Sequence, residues 1–270
     1  MSPALEALLA RERQSFLAAR PQSVAFANSA GRHFPAGVPM HWMRDWPNPV
    51  PLYFQRARDA VVTDVDGHGY VDFCLGDTGA MFGHSPPAVA AAIAAQAPLG
   101  FTTMLPDLRI AAVGEGLAAL FGLQWWQLTQ TATDANRAVL RQARMATGRS
   151  RVLVFDRCYH GTVDETMVVM GDGGATVPRP GQIGRIHDPA GTTVVVEFND
   201  IEAVERALAR GDVACVLAEP VMTNAGMVLP QPGFLDSLRA ACTRHDVLLA
   251  IDETHTLSSG PGGYARLHGL

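Results

Sequence analysis

The chain has 270 residues, 48% of them hydrophobic and 17% charged, with a formal net charge of -5. That is enough apolar material for one large core, or a large core with a smaller attachment. The acidic balance and the lack of any basic cluster or aromatic-interleaved basic stripe argue against nucleic acid as a partner. All 21 basic residues are arginine, so the sequence contains no lysine.

Residues 4–19 repeat apolar side chains at helical spacing and predict an N-terminal helix. The same stretch is broken by charges and reads as neither a signal peptide nor a membrane span. Cys74, Cys158, Cys215 and Cys242 are scattered without CxxC spacing. They are expected to be buried reduced thiols of a cytoplasmic protein, with no metal site and no disulfide frame. An irregular stretch rich in proline and aromatics follows, through HWMRDWPNPVPLYF at 41–54. AVVTDVDGHGYVDF then alternates apolar and polar residues on both sides of Asp66-Gly67, which predicts a β-hairpin.

From about Pro86 the texture changes. Helical patterns at 86–97, 106–121, 133–146, 200–210 and 232–245 alternate with the apolar runs RVLVF (151–155), TVVVEF (193–198), VACVLAEP (213–220) and VLLAID (247–252). Continuous β-branched runs between amphipathic helices predict an α/β fold with a mostly parallel sheet covered by helices on both faces. The expected organisation is an N-terminal segment of helix, arm and hairpin over 1–85, part of a small domain, and a large domain over 86–270.

Ligands gather at the carboxyl ends of the strands in such sheets, so the residues after each run are the candidates. Thr131-Ala132-Thr133 stand where a helix begins, with Ala135, Ala138, Val139, Ala143 and Ala146 on one face. Two hydroxyls and free N–H groups at a helix start make a phosphate cradle, or, equally, an ordinary threonine cap. After RVLVF comes Tyr159-His160-Gly161. The aromatic can lie flat on a planar ring and the glycine lets the backbone approach; a turn with a packed tyrosine is the plainer alternative. Glu219-Pro220 ends the next run, with Asn224 just beyond; the acid can orient a ligand or pair with an arginine. Asp252, Glu253 and His255 end the last. A carboxylate at the end of a buried strand needs a positive partner, and a pyridinium nitrogen would supply one. Asp252-Glu253 could instead hold Mg²⁺ in a nucleotide hydrolase, but no GxxxxGK[ST] loop exists in a chain without lysine.

In order and spacing, these stretches resemble the class III aminotransferases of the fold-type-I pyridoxal-phosphate (PLP) enzymes, with a texture similar to the glutamate-semialdehyde aminomutase and β-amino-acid aminotransferase branches. TATDAN at 131–136 matches the family's phosphate-holding Ser-Gly-Thr-Glu-Ala-Asn. Tyr159-His160-Gly161 matches its ring-stacking aromatic-His-Gly, Glu219-Pro220 its strand-end Glu-Pro, and Asp252-Glu253-Thr254 its Asp-Glu-Val. Gly83-His84-Ser85-Pro86 and the hairpin before it match further upstream. The resemblance implies PLP as cofactor, an amino donor and a keto-acid acceptor as substrates, and a homodimer. It implies cofactor contacts from Thr131, Ala132, Thr133, Tyr159, His160, Gly161, Glu219, Asn224, Asp252, Thr254 and His255, with Asp252 on the pyridine nitrogen. Ala132 replaces a glycine of the phosphate loop. Thr254 replaces an aliphatic residue under the ring, and His255 takes a position that in some members donates to the cofactor's phenolic oxygen. Asn224 stands where some members that act on ω-amino acids carry a glutamate, which points away from ornithine-like or GABA-like substrates.

The family's Schiff-base lysine lies downstream of the Asp-Glu-Val strand, and its absence here is read as that of an N-terminal portion of a longer enzyme. His41, Trp42, Arg44 and Trp46 are candidates to face substrate, Arg44 as a carboxylate clamp, against plain packing of an aromatic-rich arm. The expected function is a PLP-dependent aminotransferase. A PLP-dependent aminomutase or decarboxylase of the same family, and a non-catalytic remnant that binds cofactor or dimerises, are the alternatives.

Overall fold

Two aspartates, Asp64 and Asp66, tie together distant parts of the first third of this chain. The computed structural model describes residues 2–184 and 188–270. The chain divides into two compact units, Met1–Met104 and Leu105–Leu270.

In the first unit, α1 (Pro3–Ala18) starts at the Ser2 cap and α2 (Pro21–Ala30) follows after a single turn. The sequence reading placed α2 in an irregular stretch. Its N-terminus is instead capped from far along the chain, by Asp66, whose carboxylate accepts from Gln22 N at 2.7 Å and Ser23 N at 2.9 Å. A local window cannot see such a cap. Strands β1 (Phe54–Arg58), β2 (Val61–Asp64) and β3 (Gly69–Val71) form an antiparallel sheet. The β2–β3 turn is the hairpin expected at Asp66-Gly67, with Gly67 in the left-handed region at φ 88. Asp64, 1% exposed, holds the turn. It accepts from Asp66 N, His68 N and Tyr70 Oη, and Arg20 lies 3.7 Å away. Helix α3 (Pro87–Gln96) closes the unit. Trp42 and Trp46 meet edge to face at 5.7 Å, and Arg44, well exposed, pairs with Asp45.

The second unit runs α4 (Ile110–Phe121), α5 (Ala132–Thr147), β4 (Arg151–Phe155), a small antiparallel pair β5 (Val168–Met170) and β6 (Thr176–Pro178), β7 (Thr193–Val196), α6 (Ile201–Leu208), β8 (Val213–Ala218), α7 (Phe234–Arg244), β9 (Leu248–Ile251) and α8 (Gly263–His268). Strands β7, β4, β8 and β9 lie side by side in that order, all parallel. Each of the four apolar runs became one of these strands. Every residue of β8 is buried, as an interior strand covered on both faces requires. Helix α5 packs on β8, α6 on β7 and α7 on β9. Phe155, Phe198 and Phe234 form an edge-to-face triad at 4.9–5.8 Å over the end of β4.

Two expectations need correction. Cys158, Cys215 and Cys242 are buried, but Cys74 is exposed, because it sits in a bend of the first unit and not in a strand or helix of the core. Burial pushes the Cys215 thiol up to about 12 and that of Cys242 up to about 11, which leaves both unreactive. The buried stripe of α5 is Asn136, Leu140 and Ala143; of the expected face Ala135, Ala138, Val139, Ala143 and Ala146, only Ala143 is buried, while Ala135, Ala138 and Val139 are half-buried and Ala146 is exposed. The helix is rotated so that an amide points inward.

Leu238 on α7 is fully buried in the core. Leu238→Ala is expected to lower stability by about 2–5 kcal/mol, read from urea denaturation midpoints.

Candidate functional site

The strand order places a topological switch in the second unit. From β4 the chain moves to β7 on one side, then returns to β8 and β9 on the other. The carboxyl ends of β4 and β8 therefore flank the crevice in which open parallel sheets bind ligands. Tyr159, His160 and Gly161 follow β4, Glu219 follows β8, and Asp252 follows β9. Ala218 and Ile251 are partners across β8 and β9, and Asp252 N donates to the Ala218 carbonyl at 2.8 Å, so the two acids leave the sheet side by side.

Asp252 is the centre of the arrangement. Its side chain is 6% exposed. Oδ2 accepts from Asn136 Nδ2 at 2.8 Å and lies 2.8 Å from His160 Nδ1. Oδ1 accepts from Thr254 N at 3.0 Å and Thr254 Oγ1 at 2.6 Å. Burial pushes its carboxyl upward, but the contacts to His160, Thr254 and Asn136 outweigh burial and hold it well below the usual carboxylate range. The partner His160 has no exposed side-chain surface. Burial lowers the imidazole's proton affinity, yet the Asp252 carboxylate, aided by the neighbouring Cys158 thiol, raises it to about 10. Its Nε2 is buried with no partner among the described residues.

Asn136 Nδ2 also donates to the His160 carbonyl at 3.2 Å, fixing α5 to the segment after β4. Asn136 lies about one helical turn inside the start of α5. At that start, Thr131 is the cap: its hydroxyl accepts from Asp134 N and donates to Asp134 Oδ2. The N–H groups of Ala132 and Thr133 have no partner among the described residues. Thr133 Oγ1 accepts from Thr162 N at 3.2 Å. Gly161, at φ 77, lies so close that an added Cβ would stand 2.0 Å from Thr133 Oγ1. Only glycine permits this approach.

Glu219, 4% exposed, receives Tyr159 N at 3.0 Å on one oxygen and Thr223 N at 3.4 Å on the other. No arginine pairs with it among the described residues, so the acid organises backbone and is not half of an ion pair. Thr223 Oγ1 lies 2.6 Å from His255 Nδ1. Tyr159 is 42% exposed, which leaves surface to lie against a ligand. Glu253 turns away from Asp252: its oxygens accept from Tyr264 N and Ala265 N and cap α8. The two adjacent acids do not converge on one ion.

Motif reading named most of these residues but did not assign the Asp252–His160 and Asp252–Asn136 contacts. The signal available was Asn136 itself, an amide four residues before Leu140 and seven before Ala143 on the buried stripe.

The donor set fits a flat cationic ring carrying a phosphate. Two N–H groups without a partner among the described residues and a hydroxyl sit at a helix start, Asn136 one turn inside that helix binds a persistent carboxylate, Gly161 packs against Thr133, and Tyr159 two residues before it is exposed.

A family model for class-III aminotransferases matches residues 43–268. The chain is 36% identical over 224 residues to a glutamate-1-semialdehyde 2,1-aminomutase of Chloroflexus aggregans, covering 82% of this chain and 51% of the relative. It is 30% identical over 249 residues to that of Methanocaldococcus jannaschii, covering 91% and 55%. The chain thus spans about half the length of the curated relatives it matches. Among solved structures, a glutamate-1-semialdehyde-aminomutase from Pseudomonas aeruginosa is 53% identical with TM-score 0.94, covering 98% of this chain and 58% of that one. A β-phenylalanine aminotransferase from Variovorax paradoxus is 28% identical with TM-score 0.83, covering 98% and 59%.

Two outcomes test this geometry. The folded-state pKa of His160 is raised, so its stabilisation is complete below about pH 6.5 and fades as pH rises toward about 10. That of Asp252 is lowered, so its contribution is complete above about pH 4 and lost in stronger acid. Urea midpoints are expected to be highest between these limits, and His160→Gln to flatten the alkaline arm. Gly161→Ala combines a left-handed φ with a clash against Thr133; it is expected to cost at least about 2 kcal/mol, measured by thermal melts.

Proposed function

We propose, from a chain that belongs to the class-III aminotransferase family, that the complete protein is a PLP-dependent enzyme that moves an amino group between an amino acid or amine and a keto acid. The observation that carries this reading is the buried Asp252 carboxylate, clamped by His160 and Asn136 at 2.8 Å each, about one turn from the open start of α5. A variant of the Pseudomonas relative was solved in complex with PMP, and a transaminase 28% identical to this chain with PLP bound.

When bound, the cofactor supplies an electron sink for a substrate carbanion. The chain's own residues do the rest. The N–H groups of Ala132 and Thr133 and the Thr133 hydroxyl would hold the phosphate at the positive end of α5. Asp252 would favour a proton on the ring nitrogen, because a carboxylate that does not itself take up a proton near neutrality favours the charged form opposite it. His160 and Asn136 orient that carboxylate, and Thr254 occupies its second oxygen. Tyr159, its N–H held by Glu219, offers its ring as a stacking surface, and His255, tied to Thr223, stands ready as a donor to the ring's oxygen. With no lysine in these 270 residues, the amine that moves the substrate proton is proposed to lie outside them.

The Chloroflexus and Pseudomonas relatives bear the name of an aminomutase, which favours a second reading in which the amino group returns to the same substrate skeleton. A dependence on an added keto-acid acceptor separates the two. We also take the complete protein to be cytoplasmic and a homodimer; the exposed apolar side chains of Leu105, Leu108, Leu123, Trp125 and Leu128 support the dimer.

Fluorescence titration of the 270-residue chain is expected to give saturable binding of PLP and none of Mg²⁺–ATP. Asp252→Ala should weaken PLP by at least about tenfold, and borohydride should leave no label on the chain. Undiminished PLP binding by the Asp252→Ala chain would sink the assignment.

A further inference from the structure

His160 has a need that Asp252 does not meet. Asp252 Oδ2 lies 2.8 Å from Nδ1, and the imidazole has no exposed surface. Nε2, on the other side of the ring, is buried with no hydrogen-bond partner among the described residues. With its proton affinity raised to about 10, the ring carries a proton on both nitrogens near neutrality. A buried cationic N–H that finds no acceptor loses its hydration without compensation. The orphan therefore points to a contact, and burial limits which group can make it.

The segment after β4 supplies that group. Burial alternates along it: Cys158 is 1% exposed, Tyr159 42% and His160 2%. Thiol and imidazole thus share the inner side, while the tyrosine between them reaches the surface. Backbone contacts fix the stretch: Cys158 N donates to the Phe155 carbonyl at 3.1 Å, the Cys158 carbonyl accepts from Arg179, and the His160 carbonyl accepts from Asn136. Cys158 stands close enough to raise the proton affinity of His160 alongside Asp252. Since Asp252 occupies Nδ1, Nε2 is the nitrogen left for the sulfur. The thiol hangs from one torsion, so it aims a lone pair without moving the backbone. A sulfur is a weak acceptor, but the positive charge of the donor strengthens the bond. The other charged groups at this stretch, Arg179 and Glu219, meet its backbone: Arg179 at the Cys158 carbonyl and Glu219 at Tyr159 N.

We propose that Cys158 is a positioning residue: its sulfur accepts the Nε2 proton of His160, which keeps the imidazole cationic and so holds Asp252 ionised toward the cofactor ring. The role toward the cofactor rests on the functional reading above; the contact between Cys158 and His160 does not.

Nitrogen-15 NMR of the histidine-labelled 270-residue chain, without cofactor, tests the contact, with His160→Gln serving to assign the signals. At about pH 7.5 both ring nitrogens of His160 are expected to carry protons, and the ring to titrate near pH 10. Cys158→Ala is expected to lower the ring's proton affinity at least about tenfold. Cys158→Ser, whose hydroxyl is also an acceptor, should restore most of it. A cysteine that only fills space would leave the titration unmoved by either change. Circular dichroism checks that the variants fold, and the spectrum of the unmodified chain decides the matter if they do not. An unprotonated Nε2 in that spectrum, a titration identical in all three chains, or a serine variant no better than alanine would each overturn the proposal. The two readings fail separately. A chain with Nε2 protonated that does not bind PLP keeps the contact and loses the cofactor, and a chain that binds PLP with Nε2 bare does the reverse.

Discussion

Asp252 leaves water at the end of β9, and the groups that meet its two oxygens come from three parts of the chain: Asn136 on α5, His160 beyond β4, and Thr254 two residues on. A buried carboxylate with one of these partners missing would be a liability of several kcal/mol. Much of the local architecture follows from avoiding it. Helix α5 turns its amide inward where a purely apolar stripe would have turned alanines. The segment after β4 is bonded to α5 through the His160 carbonyl and Thr162 N, which brings the imidazole under the carboxylate. These same restraints leave the helix start open, so the need to satisfy one charge shapes the rest of the crevice.

The other acid at the sheet edge solves its problem differently. Among the described residues Glu219 meets only neutral donors: Tyr159 N and the N–H and hydroxyl of Thr223. It acts as a splint for two loops, whereas Asp252 is paired with a cation. Two carboxylates on neighbouring strands thus have separate tasks set by their surroundings, and a third, Glu253, is spent on capping α8.

The parallel sheet was legible in the sequence because its strands are continuous β-branched runs, and RVLVF became β4 residue for residue. The hairpin at Asp66-Gly67 was legible for the same local reason. Helix α2 was not, since its cap comes from Asp66 more than forty residues away. The site divides likewise. Asp252, Glu219 and the Tyr159-His160-Gly161 stretch stand out because polar residues end apolar runs. The identity of the cation opposite Asp252 does not, because His160 and Asp252 are 92 positions apart and meet only through strand order.

One feature of the sheet bears on how the chain behaves by itself. Strand β9 pairs with β8 on one side, and among the described residues no strand pairs with the other. Its outer peptide groups form a short ladder rung open to any extended segment in register. The strand that delivers the pivotal acid is therefore also, among the described residues, an open margin of the sheet.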